Sequence, residues 1–244
     1  MHKLYSIGIL PEPIYKIPPH QHNALEVAYY FEGSGVLKIG EEEIHFQPKD
    51  IVFQPPGITH SEQSPGGFRN IHFIMSEFES SGVNILKFKD NESGDVYNIL
   101  MLIHKEFHLK RKNWEPITNY LLETFCHYLV SFSNERRKNP YVEKCESILI
   151  ENISDKSFSI SSMLKEIPLN DDYIRKLFLK EVGTTPLQYL TEKRINHAKQ
   201  LLETRYETSA KIKEIADKAG FNDQYYFSRA FKKVTGKSPS EWNA

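Results

Sequence analysis

Two stretches of this sequence are versions of one another: SISSMLKEIPLN at 159–170 and AKIKEIADKAGFN at 210–222. At an offset of 52 residues, Ile160 aligns with Ile212, Met163 with Ile215, Ile167 with Ala219, Leu169 with Phe221 and Asn170 with Asn222. After one extra residue the offset becomes 53, and DDYIRKLFLKEVGTTPLQYL at 171–190 runs beside DQYYFSRAFKKVTGKSPSEW at 223–242. A pattern that recurs within a chain is built as one supersecondary unit made twice, so the repeat restricts the architecture before composition is considered.

Each copy reads as a short helix, a tight turn closed by Asn170 or Asn222, and a second helix with Tyr173, Phe178, Tyr226 and Phe231 turned inward. Gly183 and Gly236 fall where a left-handed cap ends a helix. Thr185-Pro186-Leu187-Gln188 and Ser238-Pro239-Ser240-Glu241 each offer an N-cap hydroxyl, a proline at the first helical position and an acceptor side chain three residues on. That is the pattern of a capping box. Helix, short turn and helix make a helix-turn-helix unit, here present twice. Between the copies, 186–203 predicts one amphipathic helix with Leu187, Leu190, Ile195, Ala198, Leu201 and Leu202 inward, a stiff spacer for the two units.

The outward face of the second helix carries Asp172, Arg175, Lys176 and Lys180 in one copy, and Gln224, Tyr225, Ser228, Arg229 and Lys232 in the other. Such side chains reach base edges and phosphates when the start of a helix enters a major groove. One such face alone reads as a solvated helix surface; two matched faces favour DNA. Lys180, Arg194, Lys232, Lys233 and Lys237 are candidates for phosphate contacts. Residues 145–244 hold 16 Lys+Arg against 14 Asp+Glu, and the chain's net charge is −1, so a basic surface has to come from arrangement rather than total.

KRINHAKQLLE (193–203), IKEIADKAGFNDQYYFSRAFKKVTGKSP (212–239) and the weaker first copy resemble the DNA-binding domain of the AraC/XylS family of bacterial transcription regulators, over residues from about 141 to 244. The resemblance implies two recognition helices in successive major grooves of double-stranded DNA. It carries base contacts onto Asp172, Arg175 and Lys176, and onto Gln224, Tyr225, Ser228 and Arg229. Asp172 departs from the pattern, since a carboxylate there repels phosphates and can at best accept from cytosine N4. Homodimerisation is implied too, with RNA polymerase as a further partner.

The first third of the chain has another grammar. From Leu25 to about Met75, the runs LEVAYYF, GVLKIG, EIHFQ, DIVFQ and NIHFIM alternate with EGSG, GEE, PKD and SPGG, which predicts a β-sandwich or barrel. Val96, Ile99, Leu100, Ile103 and Phe107, then Ile117, Leu121, Leu122, Phe125 and Leu129, predict two amphipathic helices with apolar stripes for the barrel and for a partner. NERRKNP then marks a boundary, with Asn139-Pro140 ending one helix and starting the next. The expected organisation is α+β: a cupin-like β-barrel sensor at 1–82, a helical linker and dimerisation region at 83–139, and an all-α DNA-binding domain with two helix-turn-helix units at 140–244.

His20-x-His22-x3-Glu26-x6-Gly33, followed by Pro55-x-Gly57-x2-His60, resembles the two motifs of the cupin barrel, the second without its leading glycine and closing asparagine. The resemblance implies that His20, His22, Glu26 and His60 line a pocket and can ligate a divalent metal ion. Period-two alternation puts His20, His22 and Glu26 on one strand face, and imidazoles with a carboxylate suit Zn²⁺, Fe²⁺, Mn²⁺ or Ni²⁺. Regulators with this kind of barrel often keep these positions as a lining without metal. The resulting expectation is a sensor whose pocket takes a small molecule, a sugar or another polar metabolite, and shifts the DNA-binding domains through unequal affinity for two states.

A metal-dependent cupin enzyme with a helical appendage is the rival, and a protein-binding adaptor the third reading. No Ser-His-Asp order, glycine-rich phosphate loop or kinase signature supports an enzyme. His45 and His72 are expected to face the pocket or the core, and His104, His108, His127 and His197 to be surface or packing residues. No apolar run suggests a membrane span, and MHKLYSIGILPEP lacks the length of a secretory signal, so a cytoplasmic protein is expected. Cys126 and Cys145 are the only cysteines, and no structural disulfide is expected.

Overall fold

The computed structural model describes residues 2–76, 87–134, 138–203 and 211–242, without the side chains of 132–134. The chain divides into two compact units, Met1–Arg137 and Lys138–Ala244. The first carries the strands and two helices, the second is helical, and this is the α+β layout expected. The expected boundary between 82 and 83 lies outside the described residues.

The first unit is built on an eight-stranded sheet: β1 (Leu4–Ile9), β2 (Ile14–His20), β3 (Leu25–Gly33), β4 (Gly35–Ile39), β5 (Glu42–Phe46), β6 (Asp50–Gln54), β7 (His60–Met75) and β8 (Lys87–Lys89). Its main path runs β5-β4-β7-β3-β6-β8, and β7 also pairs with β1 and β2. The long β7 makes this possible, because its first part pairs with β2 and β4 and its second with β1 and β3. SPGG at 64–67 is therefore interior to β7 rather than the turn expected from composition. A bulge in the β3 pairing between Tyr30 and Glu32 lies opposite Asn70 and Arg69, where the strand changes course. β1 and β2 escape sequence patterning because they have few fully buried residues, and β2 contains Pro18 and Pro19, which a ladder tolerates only at its margins.

β3 is buried on both faces, which explains its unbroken apolar run. Leu25, Val27 and Tyr29 join Ile51, Phe53, Ile71, Phe73 and Met75 on one face, closed by α1 (Asp95–Leu109) and α2 (Trp114–Asn134) through Val96, Leu100, Ile103, Leu122, Phe125 and Leu129. The two middle helices thus share one core with the sheet. Ala28, Tyr30, Leu37, Ile39, Phe46, Val52 and Phe68 fill the opposite face, with Glu26, Gln54, His60 and Glu62 buried beside them.

The start of α1 is held by Asp90. Its carboxylate accepts from the backbone N–H groups of Asn91 (2.8 Å), Val96 (3.2 Å) and Tyr97 (3.1 Å), and from the Tyr29 hydroxyl (3.0 Å). Free N–H groups at a helix start need such a partner. Here it is a side chain that also ties the helix to β3.

In the second unit, α3 (Pro140–Glu151) begins at Asn139, whose side chain accepts from Tyr141 N–H. α4 (Ile160–Lys165) and α5 (Asp171–Val182) form the first helix-turn-helix; α7 (Ile212–Lys218) and α8 (Gln224–Thr235) form the second; α6 (Pro186–Glu203) joins them. Gly183 and Gly236 adopt left-handed φ of 81° and 82°, as expected at those caps. Asn170 caps α5, but Asp223, not Asn222, caps α8 by accepting from Tyr226 N–H. The Thr185–Gln188 box opens α6. The Ser238 N–H and hydroxyl both donate to the Glu241 carboxylate, yet the Glu241 N–H donates to the Ser238 carbonyl, and 239–242 form turns and no helix.

Two cores flank the spacer. Leu190 of α6 packs with Val142, Cys145, Leu149, Met163, Ile174 and Phe178. Ile195, Ala198 and Leu202 pack with Ile215, Ala216, Phe221, Phe227 and Phe231. Tyr173 and Tyr226, expected inward, are 55% and 43% exposed, and Ile174 and Phe227 take their places. The reason is helical phase. Phe178 and Phe231 share a face with residues four earlier, whereas five earlier is off that face by about 140° at about 100° per residue. Leu187, also expected inward, is exposed.

Cys126 and Cys145 are free and buried, and burial pushes their thiols up to about 12 and about 11. A thiol held in its protonated form at neutral pH is a poor nucleophile. The native protein at pH 8 is therefore expected to leave both unreacted toward a thiol-disulfide reagent on the time scale in which the guanidinium-unfolded chain releases two equivalents. Rapid modification of either in the native state would contradict this packing.

Candidate functional site

His20 ends β2, His22 sits in the turn that follows, Glu26 lies on β3 and His60 begins β7. The expectation that both N-terminal histidines share a strand face is corrected: the chain reverses between them and Glu26. They still converge. His20 is the cross-strand partner of His60, and the Gly57 N–H donates to the His22 carbonyl at 2.8 Å, holding the Pro55-Pro56-Gly57 loop against that turn.

One carboxylate oxygen gathers the three rings. Glu26 Oε2 lies 2.9 Å from His22 Nε2, 3.2 Å from His60 Nε2 and 4.0 Å from His20 Nε2. The Nδ1 atoms of His20 and His60 are 2.9 and 3.0 Å from the carbonyls of Pro18 and Ile58. An Nδ1–H donated to a carbonyl leaves Nε2 as the inward donor atom and orients the ring, as at metal-binding histidines. The ligand atoms of His20, His22, Glu26 and His60 all lie within 4.8 Å of one another. Donors about 2.0–2.2 Å from a common centre lie at most about 4.4 Å apart, so the four need only a small contraction to meet one ion, and three imidazoles with one carboxylate form a donor set for a divalent transition metal. These residues fit such an ion.

Burial acts on each group and is outweighed in two of them. It pushes Glu26 up, but the His60 hydrogen bond and the charges of His22 and His60 hold the carboxyl below its usual range. It pushes His60 down, but bonding to Glu26 and to the Ile58 carbonyl raises it. Glu62 is different: burial lifts it to about 7, against donation from the Tyr30 hydroxyl and with help from the Glu26 charge. Tyr30, Gln54 and Glu62 were not singled out from the sequence. Alternation from Glu26 along β3 was the available signal for Tyr30, and no local pattern marked the other two. His72 is on the Ala28 side of β7, near enough to Glu26 for mutual electrostatic influence, while His45 is exposed on β5.

In the second unit, Asp172, Arg175, Lys176 and Lys180 of α5 are exposed, as are Gln224, Tyr225, Arg229, Lys232 and Lys233 of α8 and Lys237 beyond it. Tyr225 is 80% exposed. Ser228 is half-buried, and its hydroxyl donates to the Gln224 carbonyl at 2.9 Å. Asp172 stands in the first turn of α5, where a carboxylate favours the helix dipole.

Arg194, expected as a phosphate contact, is engaged within the unit. Its guanidinium donates to the carbonyls of Ile153 (2.9 Å), Asn152 (3.4 Å) and Asp155 (2.6 Å). It also lies over the Phe221 ring at 6.0 Å. It fastens the end of α3 to the turn of the second helix-turn-helix and is half-buried there.

The helix-turn-helix domain model matches residues 163–244, and the AraC-like ligand binding domain model matches 8–117. The chain is 38% identical over 229 residues to the arabinose operon regulatory protein of Escherichia coli (strain K12), covering 87% of this chain and 77% of that protein. The chain belongs to the AraC family of transcription regulators. It is also 26% identical over 256 residues to the Msm operon regulatory protein of Streptococcus mutans, covering 93% of this chain and 87% of that one. As an AraC-family regulator it joins a ligand-binding unit to a DNA-binding helix-turn-helix unit. Among the described residues, no helix is long and apolar enough to cross a membrane.

Proposed function

We propose that α5 and α8 are the helices that read DNA, Arg175 and Lys176 contacting bases from one and Gln224, Tyr225, Ser228 and Arg229 from the other, with Asp172 at the margin of the first contact. Lys180, Lys232, Lys233 and Lys237 are the phosphate contacts; Arg194 is withdrawn from that set. The observation that carries this reading is the matched pair of capped helices with exposed polar faces, one at each end of α6. At about 1.5 Å per residue, α6 with its 18 residues is about 27 Å long, on the scale of the roughly 34 Å between successive major grooves.

The test is binding to a site selected from genomic fragments. Arg229→Ala is expected to cost about 1–3 kcal/mol on that site and to relax one base preference, while Lys233→Ala weakens all sequences alike and lowers the salt slope by about one. Equal loss on selected and random DNA for Arg229→Ala would remove it from the base contacts.

The effector enters the first unit at the polar cluster of His20, His22, Glu26 and His60. When bound there, a divalent ion would present a Lewis-acidic anchor for hydroxyl or carboxylate oxygens, held by three Nε2 atoms and the Glu26 carboxylate. The name of the arabinose operon relative supports a sugar or similar polyol as the first effector to try. The relatives named above are regulators, which supports a non-enzymatic, cytoplasmic role over the cupin-enzyme reading; metal-dependent turnover lost in His22→Ala would reverse that. RNA polymerase is the partner through which such a regulator would act.

Homodimerisation runs through α1, whose Met101, Leu102 and Leu109 are exposed apolar side chains. An apolar stripe on one helix suits a second copy of itself. Leu102→Asp is expected to shift sedimentation from dimer to monomer without lowering the melting temperature of the chain. A wild-type chain that sediments as a monomer at tens of micromolar would end this reading.

A further inference from the structure

Gln54 is 2% exposed, and its side-chain oxygen has no hydrogen-bond partner among the described residues. It is the last residue of β6 and the cross-strand partner of Glu26 on β3. Directly opposed residues in an antiparallel pair project to the same face, with Cβ atoms about 4.5–5.5 Å apart. The orphaned carbonyl therefore belongs to the face that carries Glu26, the carboxylate that gathers His20, His22 and His60. Pro55 follows it immediately, in the loop whose Gly57 N–H is bonded to the His22 carbonyl, so Gln54 joins the strand partner of Glu26 to the loop held against His22. A buried acceptor left without a donor is costly, and native proteins rarely keep one without a function or a bound group to satisfy it.

Resting on the reading of that cluster as an ion site, we propose that Gln54 is its positioning residue: its carbonyl accepts a hydrogen bond from a water or ligand hydroxyl bound to the divalent ion. Water on a divalent cation is a stronger donor than bulk water. Groups that orient the ligands of a metal in this way typically account for about 10–100-fold in affinity. The same carbonyl would select hydroxyl-bearing effectors, because a ligand without a donor at that position leaves Gln54 unsatisfied.

The full chain, stripped with a chelator, is titrated with Mn²⁺ alone and separately with Zn²⁺ alone, by calorimetry and, for Mn²⁺, by the magnetic resonance signal of the free ion. Gln54→Leu is expected to weaken binding about tenfold or more, while the melting temperature of the ion-free variant stays level or rises because the orphaned acceptor is gone. Gln54→Glu keeps an acceptor and is expected to bind at least as tightly as wild type. Opposite movements of ion affinity and ion-free stability in the leucine variant distinguish this role from mere packing. Wild-type affinity in Gln54→Leu would overturn the inference and leave the ion site standing. Equal weakening in both variants together with a lower ion-free melting temperature would overturn it in favour of packing. No binding of either ion to the wild type would overturn the ion site itself, and the role of Gln54 with it.

Discussion

Gly220→Ala is expected to lower the stability of the 138–244 unit by about 3–5 kcal/mol, at the high end for a single substitution, and to abolish specific DNA binding. Gly220 has φ +87°, and a Cβ there would stand 2.2 Å from the Ile153 carbonyl oxygen and 2.8 Å from Arg194 Nε. The Ile153 oxygen is backbone and already accepts from that Nε at 2.9 Å, so neither neighbour can yield without breaking the other's bond. Relief requires moving the α7–α8 turn away from the end of α3, which shifts α8 relative to α5. Gly183 supplies the control, since it has φ +81° and nothing within 4 Å of its would-be Cβ. Alanine there meets only the left-handed backbone penalty, about 1–2 kcal/mol. Denaturant unfolding and a DNA shift assay on both variants decide it. Equal costs at the two glycines would show that the close approach at Gly220 contributes nothing.

Asp90→Ala is expected to destabilise the first unit by about 3–5 kcal/mol, the scale of losing a buried charged acceptor. The loss strands the Tyr29 hydroxyl, on a residue only 2% exposed. It also strands the Val96 and Tyr97 N–H groups at the start of α1. Asp90→Asn retains one acceptor oxygen and should lose less. Urea unfolding of the three chains measures the difference. If alanine costs no more than asparagine, the multiple bonds to Asp90 are not what anchors α1.

The two variants probe contacts of different legibility. The glycine at 220 lies inside a recognised repeat, yet what makes it irreplaceable is a carbonyl 67 positions earlier, supplied by Ile153. Asp90 has no sequence signature as a cap, because its acceptors serve N–H groups six and seven residues on and a tyrosine in another strand. The helical half was more legible than the sheet. Asn139, Asn170, Gly183, Gly236 and the Thr185–Gln188 box act over two to four residues, so the residue types alone announce where helices begin and end. Even there, Tyr173 and Tyr226 lie on the outer face of their helices rather than the inner one. Aromatic character suggested burial, and the helical phase shared with Phe178 and Phe231 overrode it.

In the sheet, spacing identified His20, His22, Glu26 and His60 as a group, but the geometry that unites them is a chain reversal rather than a strand face. Gln54 and Glu62 could be found only after pairing was known. Strand register brings Gln54 beside Glu26 across 28 positions of sequence, and β7 carries Glu62 past Tyr30. Nothing in the neighbouring residues of either indicates that partner.

Sequence by itself determined the duplicated helix-turn-helix units, most of their caps and the polar faces of α5 and α8, because these rest on periodicity or on bonds between near neighbours, while motif spacing grouped His20, His22, Glu26 and His60. Only the tertiary structure decided that Arg194 fastens the two halves of the DNA-binding unit, that Asp90 secures α1, and that the buried Gln54 carbonyl, unpartnered among the described residues, belongs to the face of Glu26. Those outcomes depend on which distant backbone groups packing brings within hydrogen-bond reach, and a one-dimensional pattern does not carry that distance.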